Sequence, residues 1–570
     1  MTDPFAEIRA AVLDALAQMQ AAGDLPAGLD MDAVTVEPPK DAGHGEMVTN
    51  AAMVLARPAD LTPRDIAKAL VAQLGGDGRI GSAAVAGPGF VNLVMKRAFW
   101  QGLLPAILSQ GPRYGAANLG QGAKVNVEFV GAYPVAPLQL AHLRGAVTGD
   151  CIARLLERTG HDVTREYYVN DGGAQADVLA RSVYQAYLVA HGRDAPDPMV
   201  AASMADMGAA LKDQAGAEWL DRPEGDWLPL VRRFAVDRMM ERIRADLASL
   251  GIHMDVFTHE SALRKAGAIE AALKLLDSKG LIYRGTVEAQ KASGQAGNGQ
   301  AHAERLLFRS TAHGDEIDRP VAGADGQWTY FAPDIAYHHD KLTRGFDALV
   351  DVFGTDHAGY VKRLGAVVSA LSDGRVPLQV KLCQMIRPMR DGVPFRDRID
   401  LRDAVTEAGA GVTRVHMLSR KNDGPLDFDL TAARAQRMEN PAFAIQYAVS
   451  RANALLRRAA EAGLDEGTPD PSLLTAPEEI ALIRALGDWP RQIATAVALK
   501  EPHRLVFDLV DLARRFHAHW DAATANPALA FVQQGDTPAT VAKIALVRAV
   551  SVVILSGLDM IGVDPVDEMH

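Results

Sequence analysis

The chain is poor in cysteine, with only Cys151 and Cys383 among 570 residues. Two thiols cannot form a disulfide framework or a cysteine-based zinc site, so we expect a reducing, cytoplasmic location and no protein-bound metal. The opening segment, MTDPFAEIRAAV, has early acids and no basic stretch before a long apolar core. No secretory signal is therefore expected.

Long apolar runs are also lacking. The most apolar segment, AVSVVILSGLDMIGV, is interrupted by Ser, Gly and Asp and is short for a membrane span. It predicts a buried helix, and no membrane partner is expected. The net charge of -12 argues against a protein that coats nucleic acid, yet it leaves room for a local basic face.

The length predicts several domains, because one domain usually takes about 100–200 residues. Residues 1–112 predict an α+β domain, with helical spacing in FAEIRAAVLDALAQM and LTPRDIAKALVAQL and a strand in VAGPGFVNLVM. Thr62 suits the N-cap of the second helix and Pro63 its first position.

The middle of the chain, residues 113–438, alternates strand and helix patterns, as in KVNVEFV, RGAVTGDCIARLLERTG and DVTREYYVN. This alternation predicts an α/β fold with a parallel, Rossmann-type sheet. Long helical patterns at about 190–300 predict a helical insertion. Residues 439–570 contain four long helical patterns and predict an α-helical bundle.

One strand–turn–helix segment, VNVEFVGAYPVAPLQLAHLRGAVTGD, stands at the start of the predicted sheet. Its strand ends near Glu128, its loop carries Pro134 and Pro137, and its helix follows Gln139. A helix N-terminus beside the end of a parallel strand is a natural place to hold phosphates.

This segment and those that follow it resemble arginyl-tRNA synthetases, a class I family, in order and spacing. The later segments are TREYYVNDGGAQADVLARSVY, LLFRST, GDEIDRPV, GQWTYFAPDIAYHHDK, DVFGTDHAGYVKR and LSRKNDGPLDFDL. The N-terminal GPGFVNL resembles the tRNA elbow-binding domain of that family, and the last helices resemble its anticodon-binding bundle. The resemblance implies a class I catalytic domain that uses arginine, ATP with Mg²⁺ and tRNA(Arg), commonly as a monomer.

The resemblance also implies an arginine pocket. Glu128, Tyr330 and Asp334 fall where the family contacts the guanidinium group, and Asp356 and His357 fall at the far wall. Carboxylates suit a guanidinium because they can pair with it in a bidentate way. Strand-end or cap acids and a core tyrosine would also explain the first three.

Two positions in the loop after Glu128 depart from the family. Gly131 and Tyr133 stand where a small polar residue and an asparagine hold the α-amino and carboxylate groups of the substrate. The substrate therefore loses expected partners there, and the Tyr133 ring is expected to take up some of its space.

The ATP signatures depart further. The HIGH motif becomes Gln139-Leu140-Ala141-His142, so a neutral amide replaces an imidazole donor and a methyl group stands where glycine leaves room for adenine. His142 is kept, either as a catalytic donor or as a packing histidine. The second signature, RDGVPFRDRIDLRDAVTEAG, is shortened and has no lysine. Its Arg396 and Arg398 either replace the lysine contacts to phosphate or form a solvated turn.

The tRNA-facing positions match better. Phe90 and Asn92 resemble the elbow reader, where an aromatic ring stacks on an unpaired base and an amide reads its edge. Packing within the domain is the alternative. The bundle offers arginine and aromatic residues suited to stacking and phosphate contact, namely Tyr447, Arg451, Arg457, Arg458, Arg514, Arg515 and Trp520.

Three functions stay open from the sequence. The first is a diverged paralog that binds tRNA or an arginine-like ligand with weak or lost adenylation, because the altered positions all face one pocket. The second is a working arginine–tRNA ligase, since REYYVNDGGAQ, Tyr330, Asp334 and DHAGY are intact. The third is a ligase that activates a different small molecule, with Tyr133 reshaping the pocket.

Overall fold

The computed structural model describes residues 3–286, 304–395, 399–464, 467–533 and 535–569. Arg396 and Arg398, predicted to contact phosphate, lie outside these ranges.

The first part of the chain folds into an antiparallel sheet with helices packed against it. Its elements are α1 (Pro4–Ala22), β1 (Val36–Glu37), β2 (Met47–Thr49), α2 (Ala51–Ala59), α3 (Pro63–Leu74), β3 (Ile80–Ala86), β4 (Phe90–Met95), α4 (Arg97–Gln101) and α5 (Leu103–Gln110). The sheet order is β1-β2-β4-β3. The predicted start of α3 is confirmed, because the Thr62 hydroxyl accepts a 3.2 Å hydrogen bond from the Asp65 amide and Pro63 is the first helical residue.

The middle part has the predicted α/β character. Its elements are β5 (Lys124–Glu128), α6 (Leu140–Arg158), β6 (Asp162–Val169), α7 (Ala174–Ala190), α8 (Pro198–Ser203), α9 (Ala205–Ala215), α10 (Glu224–Ala248), β7 (Val256–His259), α11 (Glu260–Lys265), α12 (Ala268–Ser278), β8 (Ile282–Gly285), β9 (Arg305–Phe308), β10 (Arg319–Ala322), α13 (Phe331–Thr343), β11 (Ala348–Gly354), α14 (Val361–Ser372), β12 (Leu378–Cys383), β13 (Ile386–Arg390), β14 (Val393–Pro394), α15 (Leu401–Ala408), α16 (Ala410–Met417), β15 (Leu426–Asp429) and α17 (Leu430–Ala433).

The central sheet is parallel throughout, in the order β12-β11-β5-β6-β7. Helix α6 covers one face and packs closely, since a Cβ on Gly149 would fall 2.2 Å from the Phe129 ring. Helix α13 covers the other face, where its Lys341 meets Glu128 of β5. Carboxyl ends of parallel strands share one edge, so residues that end β5, β6 and β11 are brought together there.

The segment at about 190–300 differs from the helical insertion that the sequence predicts. It contains α8, α9 and α10, but also β7, which pairs with β6 at the edge of the main sheet. It also contains β8, the first strand of a small antiparallel sheet with β9 and β10. A strand of four residues between long helices is too short to show the apolar–polar alternation that predicts a strand. Strand β7 forms because it pairs with β6.

The last part is a helical bundle of α18 (Pro441–Glu461), α19 (Pro477–Leu499), α20 (His503–Ala525) and α21 (Thr537–Met560). Helix α21 has the length and apolarity of a membrane span, but 83% of its apolar window is buried inside the protein. It packs against α18, α19 and α20, which is the position of a core helix and agrees with the predicted buried helix.

One buried arginine joins three parts of the chain. Arg414 of α16 donates through Nε to the Ile561 carbonyl at 2.6 Å and through Nη1 to the Leu250 carbonyl at 3.0 Å. Its Nη2 contacts the carboxylate of Asp150 in α6. Gly562 leaves room for this guanidinium, because a Cβ there would fall 2.4 Å from Nη2.

Candidate active site at the carboxyl edge of the parallel sheet

Polar residues occupy the face of the sheet that α13 covers. In the strand register Glu128 pairs with Glu166 on one side and with Asp351 on the other, so the three side chains share a face. Tyr168, two residues beyond Glu166, lies on the same face nearer the carboxyl edge. All four are buried. Such a polar face in a sheet interior requires partners from the covering helix.

Helix α13 supplies those partners through residues spaced by one turn. Asp334, His338 and Lys341 stand at positions i, i+4 and i+7, and therefore share one face of the helix. The Lys341 ammonium contacts the Glu128 carboxylate and lies 3.0 Å from Asp351 Oδ1. His338 Nε2 lies 3.1 Å from Asp351 Oδ2.

The charges in this cluster are strongly coupled. Burial raises the pKa of Glu128 to about 7, against the opposing effect of the Lys341 charge. Burial alone would also raise the pKa of Asp351, but Lys341 and His338 hold it well below its usual range. Glu128, His338 and Asp351 are close enough to hold a metal ion, yet Lys341 already supplies a positive charge among them. We therefore assign no metal here.

Asp334 has no comparable neutralising partner. Its Oδ2 accepts a hydrogen bond from the Tyr360 hydroxyl, and within the described part of the chain no cationic side chain pairs with it. Burial raises the pKa of Asp334 to about 6. A cationic ligand at the carboxyl edge would stabilise its ionised form.

Three other predicted pocket residues lie nearer to solvent. Tyr330 is 69% exposed, and its hydroxyl accepts a 2.8 Å hydrogen bond from Arg363. The side chains of Asp356 and His357 are 71% and 59% exposed and lie 3.6 Å from each other. Their segment reaches Asp334 through Tyr360, so the structure places Asp356 and His357 at the rim and not in the buried cluster.

The loop after β5 is conformationally strained. Val130 has a φ of 73°, and the amide of Gly131 donates to the Phe129 carbonyl at 3.1 Å across it. A β-branched residue with positive φ is rare outside constrained sites. Gly131 also has a positive φ, of 53°. The Tyr133 ring is 47% exposed, so it borders the loop and does not fill the core.

The altered HIGH motif begins helix α6. Gln139 is the N-cap residue, and its backbone amide donates to His142 Nδ1 at 3.0 Å. Because Nδ1 accepts, the neutral ring carries its proton on Nε2 and keeps one donor. Burial lowers the pKa of His142, which favours this neutral form. Ala141 is exposed at the helix start.

The shortened second signature is tied directly to this motif. Leu140 donates to the Ile399 carbonyl at 3.1 Å, and Leu401 donates to the Leu138 carbonyl at 2.7 Å. These hydrogen bonds form a bridge between Gln139 and Asp400. The two altered ATP signatures therefore meet at the start of α6.

The predicted elbow reader lies on the outer face of the N-terminal sheet. Along β4, Phe90 is exposed and Asn92 half-buried, whereas Val91 and Leu93 are buried. Phe90 and Asn92 are therefore not core residues of their domain. They share a face with the exposed Val94, as the period of two in a strand requires.

In the bundle, a cavity of about 380 Å³ is lined by Tyr447, Arg451, Arg458 and Trp520, among others. The Arg451 guanidinium lies 4.5 Å from the centre of the Tyr447 ring and 5.3 Å from that of Trp520. This arrangement of cation and aromatic rings suits a stacked nucleobase.

Other predicted arginines of the bundle are engaged elsewhere. Arg457 pairs with Glu568 at 2.8 Å, and Arg515 pairs with Asp511 at 2.6 Å.

Sequence reasoning missed three residues of the buried cluster. Lys341 could have been found from its spacing with Asp334 and His338 on one helix. Tyr168 and Glu260 gave no such signal, because strand register and the packing of α11 bring them to the site. Glu260 is buried and pairs with Arg264 at 2.6 Å.

Comparison with known proteins shows which family has this architecture. Family models match an arginyl tRNA synthetase N terminal domain at residues 6–95, a class I (R) tRNA synthetase catalytic domain at residues 103–191 and a DALR anticodon binding domain at residues 445–569. An arginine–tRNA ligase of Ruegeria pomeroyi is 53% identical over 582 residues, covering 99% of this chain and 100% of that protein. One of Paracoccus denitrificans is 52% identical over 583 residues, with the same coverage.

The chain belongs to the class I arginyl-tRNA synthetase family. Solved arginyl-tRNA synthetases share its fold: that of Thermus thermophilus has a TM-score of 0.73 at 20% identity and covers 98% of this chain and 100% of its own. That of Plasmodium falciparum has a TM-score of 0.74 at 12% identity and covers both chains completely. The predicted fold class and family are thus confirmed. The boundaries predicted at 112/113 and 438/439 stay predictions.

Proposed function

We propose that the chain is a working arginine–tRNA ligase that forms arginyl-adenylate and transfers the arginyl group to tRNA(Arg). The observation that carries this proposal is Asp334, a buried carboxylate without a cationic partner among the described residues, at the carboxyl edge of the sheet. Its pocket lies in a chain more than half identical to arginine–tRNA ligases along its full length.

The pocket offers the acceptors that a guanidinium needs. On Asp334, Oδ2 accepts a hydrogen bond from Tyr360, and Oδ1 is the acceptor proposed for the guanidinium. On Glu128, Oε2 contacts Lys341, and Oε1 is the proposed acceptor. A guanidinium only donates hydrogen bonds, so two carboxylates approaching from different elements hold it in plane. Lys341 and Asp351 fix the position of Glu128.

The start of α6 is the proposed site for ATP. The Nε2–H of His142 is a donor for phosphate oxygens at this helix N-terminus, and the side-chain amide of Gln139 adds a neutral donor. The arginine carboxylate then attacks the α-phosphate and pyrophosphate leaves. We propose that Mg²⁺ arrives with the nucleotide, since phosphates are its usual partners in such sites.

Two separated surfaces are proposed to bind tRNA. Phe90 and Asn92 form an exposed platform for the elbow, and the cavity around Tyr447, Arg451 and Trp520 takes an anticodon base. We propose that the protein acts in the cytoplasm, in line with its low cysteine content. We also propose that it acts as a monomer, in line with the family resemblance.

A second candidate function is a diverged paralog that binds tRNA but adenylates weakly. Gln139, Ala141 and Tyr133 favour it, because each removes or obstructs an expected ligand contact near one helix start. The shortened segment before Asp400 adds to this. A ligase for a different small molecule has only the exposed Tyr133 ring in its favour.

Arginine-dependent exchange of pyrophosphate into ATP, with and without tRNA(Arg), tests the proposal. A working ligase gives exchange that Asp334→Asn reduces strongly, because the guanidinium loses its unpaired carboxylate. Exchange at background level with tRNA retained in a gel-shift assay would establish the diverged paralog instead. Exchange with another amino acid and none with arginine would favour the third function.

A further inference from the structure

The hydroxyl group of Tyr168 is buried and without a hydrogen-bond partner. Tyr168 is 7% exposed, and its hydroxyl oxygen has no hydrogen-bond partner in the described structure. A buried hydroxyl left unpaired destabilises a fold, so such a group in a native protein calls for an explanation.

The ring that carries this hydroxyl is firmly held. Tyr168 stacks on Tyr337 of α13, with ring centres 4.4 Å apart and planes 28° apart. Its position at the carboxyl end of β6 places it on the face of Glu128, beside the mouth of the predicted arginine pocket. The hydroxyl therefore cannot turn to water without breaking the stack.

The hydroxyl interacts electrostatically with three carboxylates and with the Arg264 cation. Glu260, Asp334 and Glu128 are its electrostatic neighbours, and burial together with their charges raises the pKa of Tyr168 far above its usual value. The phenol therefore stays protonated and can both donate and accept. Glu260 is already paired with Arg264, and Glu128 with Lys341, whereas Asp334 is not paired with a cation in the described ranges.

We propose that Tyr168 is a specificity-determining residue whose hydroxyl oxygen accepts an N–H of the bound guanidinium group. This inference rests on the proposed function. A guanidinium has five N–H donors, and the carboxylates of Asp334 and Glu128 approach it from α13 and β5. The Tyr168 phenol adds a third hydrogen-bond acceptor, from β6. The planar guanidinium can use this acceptor, whereas the compact ammonium of a lysine ligand does not need it.

Calorimetric binding of arginine and of agmatine to wild-type protein and to Tyr168→Phe tests the inference. The variant keeps the stacked ring and removes one oxygen atom. We expect arginine to bind about 10- to 100-fold more weakly, as for loss of a hydrogen bond to a charged group. Agmatine, which has the guanidinium but no carboxylate, should lose the same factor, because the missing contact is at the guanidinium end.

Tyr337→Phe is the matched control. The Tyr337 hydroxyl is also buried and without a partner in the described structure, but its largest electrostatic neighbours are Glu128, Glu166 and Asp351. We expect its arginine affinity to stay within about twofold of wild type. Thermal unfolding without ligand should show both variants at least as stable as wild type, since each loses an unpaired buried hydroxyl.

Each other outcome overturns the inference. If Tyr168→Phe is folded and binds arginine as tightly as wild type, the hydroxyl makes no contact, and the proposed ligase function stands. Equal losses in Tyr168→Phe and Tyr337→Phe would indicate a general disturbance of the cluster. If wild-type protein binds neither arginine nor agmatine, the proposed arginine pocket is wrong, and the role of Tyr168 falls with it.

Discussion

The ammonium group of Lys341 lies 3.0 Å from Oδ1 of Asp351, and both side chains are completely buried. Lys341 also contacts Glu128, so one cation holds two carboxylates from neighbouring strands. Replacing it, as in Lys341→Met, leaves the buried Glu128 carboxylate without its cation and Asp351 with His338 alone. We expect the free energy of unfolding to fall by about 3–5 kcal/mol, measured by urea denaturation.

Lys362→Met is the control for that variant. Lys362 forms a 2.6 Å ion pair with Glu316, but both side chains are more than 60% exposed. Surface pairs contribute about 0–1 kcal/mol, so the variant should unfold almost like wild type. Comparable losses in the two variants would contradict a special role for the buried cation.

Arginine affinity should depend on pH through the pocket acids. The pKa of Asp334 is raised to about 6 and that of Glu128 to about 7, and the cationic guanidinium binds their ionised forms. Affinity should therefore weaken as the pH falls from about 7.5 to 5.5, with net proton release on binding near pH 6. Calorimetry in buffers of different ionisation enthalpy measures the affinity and the number of protons released on binding. A pH-independent Kd over this range would exclude these groups as ligands.

Asp334→Asn should stabilise the ligand-free protein while removing arginine binding. A raised pKa means that the ionised side chain disfavours the fold at neutral pH, and the amide removes that penalty. We expect a gain of about 1–2 kcal/mol at pH 7 that falls to about 0.5 kcal/mol or less at pH 4, where wild-type Asp334 is protonated in the folded state and about half protonated in the unfolded state. Unfolding curves at pH 7 and pH 4 check the sign. A loss of stability at pH 7 would contradict the electrostatic account.

Restoring the usual ATP signature should tighten ATP binding. In Gln139→His with Ala141→Gly, an imidazole donor returns at the helix N-cap and the exposed methyl group at the helix start is removed. We expect ATP affinity and pyrophosphate exchange to rise by about tenfold or more, because one well-placed donor is worth about 10²–10³ in rate. Gln139→Asn, which keeps a neutral amide, should give no gain. Unchanged ATP affinity in the double variant would place the obstruction elsewhere, with Tyr133 the next candidate.

Phe90→Ala should weaken tRNA binding without unfolding the N-terminal domain. The ring is exposed on the outer face of β4, so its removal leaves the core intact. Loss of one base stack corresponds to about 1–3 kcal/mol, or a 5- to 150-fold weaker Kd at fixed salt. Val94→Ala trims an apolar side chain on the same face and should bind tRNA like wild type. Equal effects of the two changes would mean that no ring-specific stacking occurs.

Much of the fold could be predicted from local patterns. Thr62 and Pro63 fix the start of α3, and alternation along β4 separates Phe90 from the buried Val91. Strand β7 was missed because its four residues become a strand only by pairing with β6. A local pattern carries no information about such long-range pairing.

The candidate site was predictable only in part, for a related reason. Glu128 and Asp334 were found through the family resemblance, but Lys341 and Tyr168 depend on how α13 lies across three strands. Asp356 and His357 follow β11 in sequence, yet both side chains are more than half exposed, and it is Tyr360 of the same segment that contacts Asp334. Motif spacing does not distinguish between residues of one short turn.

Arg414 has a consequence for communication between the ends of the molecule. Its guanidinium holds the Ile561 carbonyl just after the bundle, the Leu250 carbonyl and the Asp150 carboxylate in α6, the helix that begins at the proposed ATP site. Separating these parts would strand a buried charge, which proteins resist strongly. The bundle and the start of α6 are thus held at a fixed separation. An RNA that contacts both must have its two contact points at that same separation.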